Sequence, residues 1–368
     1  MRIAAVEVVP YALPFREPYV TAAGSLTQRE MVLLRLRSKD GLEGLGEAVP
    51  LSLRGGSSLT TVVGELRRLA GRDALDETVV RDDSLAFSAP ARCAALTALL
   101  DLRGKRAAVE GGAGGESPAP IRCNATLIAG NPAAVVSAAE DWATDGFSTF
   151  KLKLGAETAK TILEGGFLRS RDVGVVRAVR EALGPRVRIR VDANGAWDVE
   201  TAKRTLAALE PYEIELAEQP VATTEEAVEV ASSTSIPLAA DESVECRADA
   251  ERVAASGAFA LTGIKLSKVG GPEDALEIAE VLPAYVTSAL DGPVGVAAAL
   301  QVAQSLGDLG RTADESLAHG LATQRLFAST VASTECELRG DMLHPPPGAG
   351  LGVEIDEAAL DAHRLDVR

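Results

Sequence analysis

From residue 121 to about residue 328 the chain repeats one unit, a short apolar run followed by ten to twenty residues at helical spacing. The runs fall at 121–127, 149–154, 187–192, 214–218, 237–241, 263–266 and 284–288, with a weaker eighth at 317–321. Between them lie alanine-rich stretches with apolar residues three and four apart, as at 175–183, 199–209, 224–232 and 272–281. Strands that alternate with helices pair in parallel, because the helix supplies the crossover. Eight such units predict a (β/α)8-type TIM barrel. A doubly wound sheet is the competing arrangement, but it wants a glycine-rich turn after its first strand, and Asn124-Ala125-Thr126 is not one.

The residues before this repeat read differently. Strand-like runs at 3–12, 31–37 and 42–48 surround a Lys39-Asp40-Gly41 turn, and helical spacing follows at 58–71 and 90–109. Residues 1–110 are therefore expected to form a small α+β capping domain. Gly, Ser and Pro crowd residues 110–120, which marks a linker to a catalytic barrel over 121–328. Residues 329–368 include a proline- and glycine-rich stretch at 344–352 without barrel periodicity. This segment is expected to return to the capping domain and complete it.

Charge and cysteine usage exclude several classes. Lys and Arg number 37 against 53 Asp and Glu, a net charge of −16 with no basic stripe, which argues against a nucleic-acid partner. Cys93, Cys123, Cys246 and Cys336 lack any paired spacing and read as reduced thiols. The N-terminal text MRIAAVEVVPYALP is no signal peptide, and no apolar run is long enough to span a membrane. A cytoplasmic location is expected.

The chemistry is carried by strand ends. Asp192, Glu218 and Asp241 close three successive runs, 26 and 23 residues apart. In a barrel such ends face the active site, so three carboxylates would converge. Acids at strand ends also cap helices, but three at unit spacing would repel one another unless a cation is present. Oxygen-only ligands favour Mg²⁺, with Mn²⁺ able to substitute. Lys151 and Lys153 alternate with Phe150, Leu152 and Leu154 on the second run, so both amines are expected to point inward. Lys265 lies 24 residues after Asp241, on the sixth run, which stands opposite the second. Two amines facing across a metal suit proton transfer at a carbon next to a carboxylate. Lys151 and the metal are expected to lower the pKa of Lys153 and make it a usable base.

This set resembles the enolase superfamily, and within it the muconate lactonizing enzyme subgroup. The likeness lies in PYALPFREPYVTAAGSLTQRE, DGLEGLGEAVPL, KLKLG, VDANGAWD, EQP, ADES and KLSKVGG. TSALDGPVGVAAAL (287–300) and HGLATQRLF (319–327) are most similar to the o-succinylbenzoate synthase family. The resemblance implies that Asp192, Glu218 and Asp241 bind Mg²⁺. It implies that Lys153 removes the α-proton of 2-succinyl-6-hydroxy-2,4-cyclohexadiene-1-carboxylate and returns it to the leaving hydroxyl, in menaquinone biosynthesis. Lys265 would stabilise the enediolate through a cation–π contact. Lys151 and Asn194 would support the site, Ser288 and Gly320 would line the pocket, and the loop at 19–26 would close over a small carboxylate substrate beside 47–55. Members of the family also form homo-oligomers.

The sequence departs from the family in places. Lys153 and Asp192 stand 39 residues apart, which implies an insertion at about 156–172. The seventh run continues Leu290-Asp291-Gly292-Pro293, where the synthases show Glu and two small polar residues that help hold the succinyl carboxylate. The same lysine pair permits N-acylamino acid racemase, dipeptide epimerase or muconate-type cycloisomerase chemistry. HGLATQRLF has neither the Asp-x-Asp of the epimerases nor the GTELFGP form of the cycloisomerases. His319, at the eighth run, could touch substrate or serve the framework.

Overall fold

The computed structural model describes residues 1–21, 24–50, 55–72, 74–110, 119–128, 130–155, 168–308 and 317–367. Most of the expected linker at 110–120, most of the insertion at 156–172, and parts of 19–26 and 47–55 lie outside these residues.

The chain opens with an antiparallel sheet of β1 (Ile3–Thr21), β2 (Gly24–Ser38) and β3 (Glu43–Ala48). The first strand runs well beyond the expected 3–12. Pro10 and Pro14 stay in it, paired with Val32 and Gln28, and the register shifts between Pro14 and Tyr19. An edge strand tolerates proline because its other side needs no donor. Within the expected loop at 19–26, the described residues pair across this hairpin, with Tyr19 opposite Leu26. The helix Ala89–Val109 packs on β3 at close range. A Cβ at Gly44 would stand 2.2 Å from the Ala98 carbonyl oxygen, and one at Gly46 1.9 Å from that of Ala94. Glycine is what allows this helix and sheet to meet.

The barrel staves are β5 (Ala125–Leu127), β6 (Thr149–Lys153), β7 (Arg188–Asp192), β8 (Ile214–Glu218), β9 (Leu238–Ala240), β10 (Leu261–Ile264) and β11 (Ala284–Val286). They pair in parallel and in chain order. The expected eighth stave is reduced to two parallel bridges, His319 with Cys123 and Gly320 with Thr287. Asn124 N–H donates to the His319 carbonyl at 2.8 Å and Ser288 N–H to that of Gly320 at 3.0 Å. One short segment thus joins both edges of the seven-stranded sheet and curls it into a barrel, which excludes the doubly wound sheet. At Gly320 a side chain would strike Thr287 Oγ1, so glycine lets the two edges approach.

The first expected stave is split. Ile121–Arg122 (β4) leaves the barrel and pairs antiparallel with Met342–His344, where Leu343 faces Ile121. Further on, Leu351 N–H donates to Asp101 Oδ1 at 2.7 Å. Leu365 N–H donates to the Pro10 carbonyl at 2.9 Å, after the helix Glu357–His363. Asp101, fully buried in the helix Ala89–Val109, also accepts from Leu45 N–H and Lys105 Nζ, both at 2.8 Å.

Candidate active site

Parallel register sets the heights of the functional groups. Lys153 pairs with Asp192, and Asp192 with Glu218, so three adjacent staves end on one level. Asp241 follows β9 by one residue and Lys265 follows β10 by one. All three acids are buried, as are Lys151 and Lys265. Apolar Phe150, Leu152 and Leu154 belong to the packed core, as period-two alternation requires.

The acids and amines interlock. Lys151 Nζ lies 2.6 Å from both Glu218 oxygens and 2.9 Å from Asp192 Oδ2. Lys153 Nζ donates to Asp192 Oδ2 at 2.5 Å and to Asn194 Oδ1 at 3.1 Å. Across the barrel, Lys265 Nζ donates to Asp241 Oδ2, and Lys268 Nζ reaches Asp241 Oδ1 at 3.1 Å. The two lysines singled out as opposed therefore do stand on staves two and six, aimed inward, each against one acid.

Lys153 corrects one expectation. Burial, the largest influence, lowers its pKa, and Lys151 adds to that, but the surrounding negative groups together, Asp192 foremost and Glu218 behind it, outweigh both and the net shift is upward. Sequence spacing registered the like charge and not the 2.5 Å counter-charge. For Glu218, burial and the neighbouring Asp192 together raise the pKa.

Asn194 is held in place by its backbone. It adopts φ +49°, its N–H donates to Asp192 Oδ1 at 2.8 Å, and its amide donates to Glu242 at 3.1 Å. Gln219 and Leu290 share the left-handed conformation, at φ +36° and +67°. Three of the five left-handed non-glycine residues among those described thus stand at the rims of staves three, four and seven; Ala86 and Glu213 lie elsewhere. Ser288 lies at the rim, but its hydroxyl donates to Asp291 at 2.7 Å and accepts from Asp291 N–H at 2.8 Å. It shapes the turn. His319 Nδ1 accepts from Val286 N–H at 3.0 Å, and burial with the Arg190 charge pushes its pKa down to about 4. It is a neutral framework residue.

Three participants were not singled out from sequence. Gln219 accepts from Asp241 N–H at 3.0 Å and donates to Ser243 Oγ at 2.8 Å, so the fourth stave fixes the end of the fifth. Tyr285 donates to Glu218 Oε2 from the seventh. Lys268 was hidden because 263–266 read as strand, whereas the strand ends at Ile264 and a helical turn, Leu266–Val269, brings residue 268 back beside residue 265.

Among the described residues no three acids, histidines or cysteines stand close enough to share an ion; ammonium groups lie between the carboxylates instead. The donor set still fits a hard dication. It comprises three buried carboxylates from consecutive staves, all oxygen, partnered by lysines whose flexible stems can withdraw.

Two family models match this chain. Residues 3–110 fit the mandelate racemase / muconate lactonizing enzyme N-terminal domain, and residues 134–359 fit the enolase C-terminal domain-like family. The chain belongs to the enolase superfamily and is an enzyme of that class. It is 41% identical over 220 residues to the o-succinylbenzoate synthase of Thermobifida fusca, an alignment covering 58% of this chain and 64% of that relative's length. Its fold matches muconate lactonizing enzyme from Pseudomonas fluorescens, solved with muconolactone, at a TM-score of 0.86 with 28% identity over 99% of both chains. It also matches a dipeptide epimerase from Cytophaga hutchinsonii, solved with Mg and the dipeptide D-Ala-L-Val, at 0.84 with 27% identity over 100% of both. No helix among the described residues is long and apolar enough to cross a membrane.

Proposed function

We propose that the protein is a Mg²⁺-dependent dehydratase of the o-succinylbenzoate synthase type. The observation that carries this reading is the pair of amines on staves two and six, Lys153 and Lys265, on either side of a carboxylate trio. The identity to the Thermobifida fusca synthase supports it. A Mg²⁺ ion held by Asp192, Glu218 and Asp241 would supply positive charge to the substrate carboxylate as negative charge builds there.

Lys153, once neutral, takes the proton from the carbon beside the carboxylate. The C–H electron pair moves towards the carboxylate, and the carbon–oxygen bond to the ring hydroxyl then breaks. The same Nζ returns its proton to the departing oxygen, so water leaves and the ring becomes aromatic. Lys265 keeps its proton and faces the ring from the other side. Lys151 balances Asp192 and Glu218, which leaves Lys153 to exchange its proton.

Loss of cyclohexadiene absorbance on adding 2-succinyl-6-hydroxy-2,4-cyclohexadiene-1-carboxylate tests the reading. No loss with Mg²⁺ present would overturn it. The opposed amines also suit a second reaction, racemisation or epimerisation of an N-acylamino acid, because each can reach one face of a planar intermediate. Deuterium wash-in from solvent at the α-carbon of N-succinylamino acids reports that activity.

A further inference from the structure

We propose that Tyr285 is a positioning residue which sets the Glu218 carboxylate for cation binding from across the barrel, and that Gly263 exists to make room for it. The inference rests on the reading that Asp192, Glu218 and Asp241 hold a divalent cation. Tyr285 leaves β11 and crosses the barrel interior to donate its phenol proton to Glu218 Oε2, on a stave three places away. The residue is fully buried, so no water competes for that bond.

The ring is held from two sides. On the intervening stave β10, a Cβ at Gly263 would come within 3.0 Å of the phenol oxygen and 3.1 Å of Cζ. Any larger residue there would displace the hydroxyl by several tenths of an ångström. On the other side, the Arg190 guanidinium lies 5.3 Å from the ring centroid. Arg190 is fully buried and anchored to the Ala318 carbonyl at 2.6 Å and to Glu215. Staves three, six and seven thus fix one hydroxyl against one carboxylate oxygen.

A carboxylate with only lysine partners can rotate, because an ammonium accepts it in many orientations. Lys151 bonds both Glu218 oxygens equally, at 2.6 Å, and so does not distinguish them. Tyr285 bonds Oε2 alone and breaks that symmetry. Groups that orient metal-binding carboxylates in this way influence affinity nearly as strongly as the ligands themselves.

The test titrates Mn²⁺ alone into the substrate-free protein by calorimetry, with the Mn²⁺ electron paramagnetic resonance signal as a second readout. Tyr285→Phe keeps the ring packing and is expected to weaken Mn²⁺ by about tenfold, while the thermal midpoint without metal stays near that of the wild type. Gly263→Ala is expected to weaken Mn²⁺ comparably although the tyrosine remains. The double variant should be no weaker than either single one, because both remove the same bond. If Tyr285→Phe binds Mn²⁺ within twofold of the wild type, or the two losses add, the inference is overturned while the metal reading stands. If the wild type binds no Mn²⁺, or Glu218→Gln binds as tightly as wild type, the metal reading fails and this inference fails with it.

Discussion

Lys153 is a base only if Asp192 releases it. In the arrangement described, its 2.5 Å contact keeps the proton on nitrogen. If the proposed dehydration is this protein's reaction, Lys153→Ala is expected to lower its rate by about 10²–10⁴-fold or more and to abolish α-deuterium exchange, with the fold retained. Absorbance decay and mass spectrometry of recovered substrate check this; an unchanged rate would discard the assigned base. At this scale the sequence was informative where period two governs. Lys151 and Lys153 face inward because residues 150, 152 and 154 take the apolar side. It was uninformative where a strand stops early. Residue 268 joins Asp241 only because the chain turns helical after Ile264, and nothing in the alternation of 261–268 marks that point. Gln219 and Tyr285 were invisible for another reason, since their partners lie on other staves and only closure brings them within reach.

Elements meet through glycine and through one buried carboxylate. Gly46→Ala places a methyl against the Ala94 carbonyl, and the helix Ala89–Val109 must lift from β3. We expect a loss of about 1–3 kcal/mol, measured by urea unfolding. Asp101→Ala strands the Leu45 and Leu351 amides in a dry environment and should cost about 3 kcal/mol. A change below about 0.5 kcal/mol would show that water replaces the carboxylate. The staves were legible as short apolar runs because each is buried on both faces. The ends of the second to seventh shifted by at most two residues, and the first proved to be two strands. Residues 121–122 form an antiparallel pair with 342–343, and a partner more than two hundred residues distant leaves no local trace.

For the whole molecule, the seam between capping sheet and barrel is titratable. Glu47 of β3 is buried under the helix Pro293–Asp308, accepting from Gly292 N–H at 2.6 Å and from the Tyr11 hydroxyl at 2.8 Å. Burial and the facing Asp291 charge raise its pKa to about 7, against bonds from Tyr11 and the Gly292 and Gly295 amides that lower it. The folded protein therefore binds this proton more tightly than the unfolded chain. Stability falls as pH rises from the ordinary carboxyl value of 4.5 to about 7, and the full penalty applies above that. Glu47→Gln should raise stability by about 2–3 kcal/mol at pH 8 and by almost nothing at pH 4.5. Thermal melts at the two pH values decide it, and an equal effect at both would refute the assignment.

The bonds from Leu351 to Asp101 and from Leu365 to Pro10 have a consequence for how the protein is made. A ribosome delivers residues 10 and 101 long before their partners, so the nascent polypeptide must wait with an apolar seam uncovered. Assembly can finish only after synthesis has passed residue 365, and the interval before that is when chaperones would be needed most.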